Sequence, residues 1–285
     1  MIDLHLHTTA SDGRLDPTAL VSLAARSGLR VIAVTDHDTV AGLAEARGAA
    51  DREQLRLVDG IEITAVEAGR DVHVLGYFMN PSDSGLARFL EQQRAARVDR
   101  TREIGKRLCD LGYTIDVDAL LAAVACSGRS IGRPAIADAL VASGHAIDRQ
   151  DAFDRWLGTD GPAFVARKGP SLADVVAAIA AAGGIASLAH PGLLGLDDEI
   201  PAFASAGLQA IEACHRDHDA AAEARYRAIA SSLGLAVSGG SDFHGEHERV
   251  RSGVQARPGC VVLPEGDFAA LEARAHSTKR ADRRA

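Results

Sequence analysis

Histidines and carboxylates recur in this chain where short apolar runs end. His5 and His7 are two apart in Ile2-Asp3-Leu4-His5-Leu6-His7, and a period of two turns both imidazoles to one side of a strand. Asp12 follows in Ser11-Asp12-Gly13, where a turn aspartate bonding its own backbone is the alternative. The next run ends in Thr35-Asp36-His37-Asp38, whose two acids either ligate or fix a histidine tautomer; the pattern leaves that open. Glu62 interrupts Ile61-Glu62-Ile63, and a lone buried carboxylate there is costly unless paired or bound to a cation. His73 stands in Asp71-Val72-His73-Val74, with a hydrogen-bonded core histidine as its alternative. Ala189-His190-Pro191 and Ser241-Asp242-Phe243-His244 close two later runs, and Asp242 with His244 repeats the spacing of the first pair.

The chemistry such residues support is hydrolysis at a metal centre. Nine candidate ligands (His5, His7, Asp12, His37, Glu62, His73, His190, Asp242 and His244) exceed the needs of one catalytic ion. Two or three divalent ions sharing a carboxylate bridge is the economical expectation. Nitrogen and oxygen donors without sulfur admit manganese, zinc, iron or magnesium, the histidine content weighs against magnesium, and the donors alone select none of the others. The expected reaction is cleavage of a phosphate ester by an activated water, so no side-chain nucleophile is required. A leaving oxygen needs a proton, which His215 or His218 could give. His215 could equally be a ligand, and His218 a solvated histidine at a helix start. For a second phosphate on the substrate, Arg129, Arg133 and Lys168 are candidate donors, Arg167 and Arg216 weaker ones, and plain surface charge is the alternative for each.

Apolar runs rich in Val, Ile and Leu alternate with amphipathic stretches, as in parallel strands joined by crossover helices. Candidate strands are Ile2–Leu6, Val31–Thr35, Leu57–Ile63, Val72–Phe78, Ile185–Ala189, Ala210–Ala213, Leu235–Gly239 and Cys260–Leu263. An α/β barrel, closed or nearly so, is expected. Helices are expected over Pro17–Ser27, with Asp16 as cap, Leu172–Ala182 and Asp217–Leu233. Residues 81–170 break the alternation with consecutive helices near Ser84–Leu111, Asp116–Ala125, Arg133–Ala142 and Asp148–Leu157. The expected organisation is a discontinuous metal-binding barrel, 1–80 and 171–285, with 81–170 as a small helical insert capping the open end where substrates bind.

At 285 residues, 47% apolar and 25% charged, the chain can bury a sizeable core and matches neither disordered nor membrane composition. Met1 leads directly into a strand with no secretory core, so a cytoplasmic location is expected. Cys109, Cys126, Cys214 and Cys260 form no CxxC pair and read as buried thiols. A net charge of −8 opposes stable binding to duplex nucleic acid, while a local basic pocket can still hold a small phosphorylated substrate. No obligate protein partner is indicated. The tail from Ala275 to Ala285, with Lys279, Arg280, Arg283 and Arg284, reads as a frayed, solvated end.

The set HxH, D, TDHD, E, H, H and DxH resembles the PHP superfamily, named for polymerase and histidinol phosphatase, from Met1 to about Gly245. The TDHDT-x-x-G form, His73-Val74-Leu75-Gly76-Tyr77 and the helical insert are most similar to the branch of nucleoside 3′,5′-bisphosphate phosphatases and enzymes trimming RNA 5′ ends. The resemblance implies a distorted (β/α)7 barrel, which puts Cys260–Leu263 outside it. It also implies one ion on His5, His7, Glu62 and Asp242, a second on Glu62, His73 and His190, and a third on Asp12, His37 and His244. The substrate it implies is a nucleotide phosphate monoester, foremost the 3′-phosphate of a nucleoside 3′,5′-bisphosphate, with short RNA as a further one. In this branch histidine often stands two residues after Gly132-Arg133, where this chain has Ala135. A histidinol-phosphate-type phosphatase is one rival. An amidohydrolase cleaving C–N bonds is another, opposed by the absence of a strand lysine that could bridge metals; Lys106, Lys168 and Lys279 all lie elsewhere. A nonenzymatic metal module would leave gaps in the ligand set, and none is visible.

Overall fold

A computed structural model describes residues 1–125, 127–245 and 256–282, with side chains to 277. The expectations for Cys126 and for the side chains of Lys279, Arg280, Arg283 and Arg284 therefore lie outside the described residues. Seven strands form one sheet in sequence order: β1 (Ile2–Leu6), β2 (Val31–Val34), β3 (Arg56–Glu67), β4 (Arg70–Tyr77), β5 (Ile185–Leu188), β6 (Ala210–His215) and β7 (Ala236–Gly240). The chain just past β7 returns to β1 through a parallel Leu6–Phe243 bridge and a 3.0 Å bond from His7 N to Phe243 O, so the barrel is nearly closed. Gly239 and Gly240 are the last residues of β7. A Cβ at Gly240 would meet the His5 backbone nitrogen at 2.4 Å, so glycine permits the close approach that seats Asp242 beside His5.

The all-parallel expectation fails at β4, which runs antiparallel to both β3 and β5. The cause is a two-residue hairpin, Ala68-Gly69, with φ of 48° and 78°. Both values suit a primed turn, whose twist matches that of the flanking strands. Cys260–Leu263 is no strand; Leu263 N donates once to Ile2 O, and the chain then enters a helix.

Helices α1 (Pro17–Arg26), α2 (Leu43–Glu53), α7 (Leu172–Ala181) and α9 (Ala220–Leu233) accompany the barrel strands. Asp16 caps α1 by accepting from Ala19 N at 2.7 Å, as its sequence predicts. One core cluster joins these helices to the strands through residues such as Leu20, Val21, Ala46, Ile63, Val175, Ile179 and Tyr226. A second unites residues from all seven strands, among them Leu4, Ala33, Val58, Leu75, Ile185, Ala210 and Ala236, with Phe268, Leu271 and Ala275 of α10 (Glu265–Asp282). Ala275 is thus core, which corrects the reading of the tail as frayed from that residue on. Cys109 is exposed and Cys260 half-buried, so of the described cysteines only Cys214 is the buried thiol expected.

Between β4 and β5 run α3 (Ser84–Asp110), α4 (Val117–Val124), α5 (Arg133–Ala142) and α6 (Arg149–Ala152), the last continuing as one π turn to Leu157; α8 (Ile200–Ser205) precedes β6. The first half of α3 packs Leu86 and Leu90 into the barrel core. Its second half joins a separate cluster in which Ile104 and Leu108 meet Ile136, Leu140, Trp156 and Leu157. Helix α3 therefore spans two cores and fixes one relative to the other. Among the described residues no helix is long and apolar enough to cross a membrane.

Candidate metal centre

Strands β1, β3, β4 and β6 carry a site residue within them, and β2, β5 and β7 deliver theirs from the loop that follows. His5 is fully buried on β1, and His7 follows it past a register shift in the β1–β2 pairing. His37 leaves β2 and bridges to Glu62, which sits in the middle of β3. His73 of β4 lies opposite Thr64, one pleat from Glu62. His190 follows β5 and Asp242 follows β7, with φ of 28° and 49°, values that side chains other than glycine occupy at a cost of roughly 1–3 kcal/mol each.

Glu62 is the centre of the group. Its Oε2 lies 3.4 Å from His5 Nε2, 3.3 Å from His7 Nε2 and 3.1 Å from His37 Nδ1. Its Oε1 lies 2.9 Å from His73 Nδ1 and 3.2 Å from His190 Nε2. Asp242 Oδ1 is 3.3 Å from His5 Nε2 and 3.2 Å from His7 Nε2. Asp12 lies 3.3 Å from His244 Nε2 and 3.7 Å from His37 Nε2. All nine candidate ligands are thus brought to one end of the barrel. Three subsets have donor atoms within 4.8 Å of one another: His5, His7, Glu62 and Asp242; His7, Asp12, His37 and His244; and His37, Glu62 and His73. Of the implied groupings the first is met as such. In the other two, His37 takes the place expected of His190, and His7 joins Asp12, His37 and His244.

The donor set suits cations. His5 Nε2, both ring nitrogens of His7, His37 Nδ1, Glu62 Oε2 and His73 Nδ1 are buried without a hydrogen-bond partner. A buried polar atom left so costs roughly 1–3 kcal/mol, and a divalent ion satisfies several together. Burial pushes the Glu62 carboxyl upward, but His37, His73 and His5 outweigh it and hold it well below the usual range. Burial takes His37 down to about 3 despite Glu62 and Asp12, so its ring is neutral and its lone pair free at neutral pH.

Asp36 and Asp38 neither join these groups nor orient a histidine. Asp36 accepts from Thr8 N (2.8 Å), Thr8 Oγ1 (2.6 Å) and Ser11 Oγ (2.6 Å), which ties down the loop carrying Asp12. Asp38 accepts from Arg97 Nε at 2.5 Å, Arg167 Nη2 at 2.8 Å and Thr64 N at 3.0 Å. Burial opposes its charge, yet Arg97 and Arg167 hold its carboxyl well below the usual range. Removing one partner from a buried ionic group costs about 3–5 kcal/mol, so Asp38→Asn is expected to lower unfolding free energy by about 3 kcal/mol at pH 7. Because the folded pKa is depressed, the contribution is complete above the unfolded value near 4 and fades as pH falls toward the folded one. Denaturation of both proteins from pH 3 to 7 should show curves converging in acid; a constant gap would rule the pairing out as the cause.

The two candidate acids differ. His215 is buried, accepts Asp217 N–H at Nδ1 (3.1 Å) and points Nε2 toward Asp242 Oδ2 at 3.6 Å. A neutral ring that accepts at Nδ1 carries its proton on Nε2, facing the cluster. His218 bonds Ala213 O through Nδ1 (2.9 Å) and accepts Gly192 N–H at Nε2 (3.1 Å), so no ring nitrogen remains to serve a substrate. The expectation of His218 as an acid is corrected on that ground.

Of the five predicted phosphate donors, Arg133 and Arg167 line the cavity at the cluster and Arg216 Nη2 lies 3.5 Å from Asp242 Oδ2, whereas Arg129 and Lys168 stand elsewhere. Arg129 donates to Thr9 O and lines a groove between α3 and α4. Lys168 lines an outer cavity beside Asp99 and Glu103. Arg133 lines a cavity of about 180 Å³ together with Asp12, His37 and His73 and with Arg97, Arg100 and Arg167. Arg97 and Arg100 were not anticipated, although they stand three apart on α3 with the buried Gln93 and Thr101. Asp71 lies 3.8 Å from Arg100 and 3.6 Å from Arg133, while Asp38 takes the other two guanidinium groups. Four cations against two carboxylates leave a surplus of two positive charges. Burial, then the charge of Arg133, pushes Arg100 down to about 10, and burial also lowers Arg133 and Arg167.

A family model described as "PHP domain" matches residues 3–114. A 3′,5′-nucleoside bisphosphate phosphatase of Chromobacterium violaceum is 34% identical over 253 residues, 87% of this chain and 88% of that protein. The 5′-3′ exoribonuclease Rnm of Escherichia coli is 32% identical over 251 residues, 85% of this chain and 84% of that one. A solved structure from Bifidobacterium adolescentis, named as a candidate metal-dependent phosphoesterase, superposes with a TM-score of 0.83 at 35% identity, covering 96% of each chain. With relatives of this identity and coverage sharing its barrel, the chain belongs to the PHP family.

Proposed function

We propose that this chain hydrolyses a phosphate monoester of a nucleotide that carries a second phosphate, most directly the 3′-phosphate of a nucleoside 3′,5′-bisphosphate. The carrying observation is one cavity lined both by Asp12, His37 and His73 of the carboxylate–imidazole cluster and by guanidinium groups with a surplus of two positive charges. A phosphate monoester carries close to two negative charges, so the arginine wall neutralises the phosphate that stays while the other is cut. Two relatives are named for cleaving phosphate bonds of nucleotides or RNA, which supports the same reading.

Divalent ions held by His5, His7, Asp12, His37, Glu62, His73, His190, Asp242 and His244, manganese foremost with zinc or iron as alternatives, would supply an activated water and offset charge on the phosphoryl oxygens. The chain's own residues do the rest. Arg97, Arg100, Arg133 and Arg167 grip the second phosphate and fix the sugar's orientation. His215 holds a proton at Nε2 for the leaving ribose oxygen. Residues 81–170 act as a helical cap on the barrel formed by 1–80 and 171–285, and α3 brings Arg97 and Arg100 over the cluster.

Arg97, Arg100 and Arg167 also wall the outer cavity of about 330 Å³ that carries Lys168, and this second basic space favours trimming of short RNA from its 5′ end as a further activity. A cytoplasmic compartment belongs to this reading, in keeping with the free thiols of Cys109, Cys214 and Cys260. The test is manganese-loaded protein presented with adenosine 3′,5′-bisphosphate, 3′-AMP, 5′-AMP, histidinol phosphate and short 5′-phosphorylated oligoribonucleotides, with products located by chromatography. Release of phosphate from the bisphosphate with 5′-AMP as product is expected. Formation of 3′-AMP, or preference for histidinol phosphate, would overturn the assignment.

A further inference from the structure

Asp3, Asp38 and Glu212 are fully buried carboxylates outside the ligand subsets, and Glu212 contacts two candidate ligands. Glu212, in the middle of β6, places Oε1 2.9 Å from His5 Nδ1 and accepts the backbone N–H of His190 at Oε2, at 2.8 Å. Each oxygen therefore serves a different candidate ligand, one delivered by β1 and the other by the loop after β5. The bond at His5 keeps the proton on Nδ1, which leaves the Nε2 lone pair directed at Glu62 and Asp242, 3.4 and 3.3 Å away. The bond at His190 holds a backbone whose φ of 28° would otherwise relax, and with it the ring that reaches Glu62 Oε1.

We propose that Glu212 is a positioning residue that couples two ligands of the metal centre, setting the tautomer of His5 and the backbone of His190 with the two oxygens of one carboxylate. The inference rests on the metal-centre reading above. A carboxylate is required because both its oxygens accept, whereas an amide of the same shape accepts at one end and presents N–H groups at the other. Glutamine at this position must therefore face either His5 Nδ1–H or His190 N–H with a donor. Partners of this kind typically set metal affinity by ten- to a hundredfold.

The test compares full-length wild type and Glu212→Gln by zinc titration calorimetry with metal content measured, by melting of both metal-free proteins, and by long-range proton–nitrogen NMR of the zinc-loaded wild type. Glu212→Gln is expected to bind zinc ten- to a hundredfold more weakly while its metal-free melting temperature stays within a few degrees. The His5 ring of the wild type should carry its proton at Nδ1. Wild-type affinity and stoichiometry in Glu212→Gln, or a His5 proton at Nε2, would overturn the proposal. So would a variant that melts much earlier yet binds zinc normally once folded, since that is a core carboxylate and nothing more. If the variant cannot be isolated folded, the wild-type His5 tautomer decides alone. A wild type that takes up no zinc overturns the metal-centre reading, and this inference with it; normal uptake by both proteins overturns this inference only.

Discussion

His7→Ala should reduce turnover of adenosine 3′,5′-bisphosphate by about a thousandfold or more while leaving the metal-free protein folded. His7 belongs to two of the three ligand subsets, and both its ring nitrogens are buried without a hydrogen-bond partner. Its Nε2 faces Glu62 and Asp242 at 3.3 and 3.2 Å, and its Nδ1 lies 3.8 Å from Asp12. Metal ions contribute several kcal/mol of charge stabilisation in phosphoryl chemistry, and a loss of about 4 kcal/mol is about a thousandfold in rate. Folding responds differently. In the metal-free chain His7 contributes two unsatisfied nitrogens, so its removal takes away a buried polar cost as well as packing. The metal-free melting temperature should therefore change little, whereas the rise that manganese produces in the wild type should shrink. Full turnover by this variant would sink the metal-centre reading, and an unfolded one would point to a packing role.

The candidate ligands other than Asp12 were legible because they stand where an apolar run ends or is interrupted, and polar residues at such places need a reason. The same rule, applied evenly, would have found Glu212: Ile211-Glu212-Ala213 interrupts an apolar run as Ile61-Glu62-Ile63 does, and both glutamates are fully buried. His215 and His218 follow Glu212 closely, so the end of β6 carries a stronger local signal than its middle. The reversal of β4 was harder to read. Its hairpin turn holds alanine at φ 48°, where asparagine or aspartate before the glycine would have announced a primed turn. Helix α3 holds its cavity-lining arginines among others. Arg88, Arg94, Arg97, Arg100, Arg102 and Arg107 all lie on it, and which of them face inward depends on how the helix crosses the barrel mouth. That is a tertiary fact, with no local signature beyond the i, i+3 spacing of Arg97 and Arg100.

Those arginines carry the second large effect. Arg100 reaches the cavity from α3, donates through Nε to Val165 O at 2.8 Å, and keeps a buried Nη2 without a partner. A group desolvated beside other cations and pushed down to about 10 has more to gain from an arriving dianion than an exposed arginine would. Arg100→Met keeps most of the side-chain volume and deletes the charge. A hydrogen bond to a charged group contributes about 1.5–3 kcal/mol, so kcat/KM for adenosine 3′,5′-bisphosphate should fall by about 10- to 100-fold, mostly through KM. For 3′-AMP, which has the bond to be cut but lacks the 5′-phosphate, the same variant should differ from wild type by less than about threefold. Equal losses on both substrates would mean that Arg100 serves the reacting phosphate or the fold. Unequal losses would mean that the arginine wall tells a bisphosphate from a monophosphate, and that selectivity for the nucleotide's second charge is built by helix α3 while the barrel carries the chemistry.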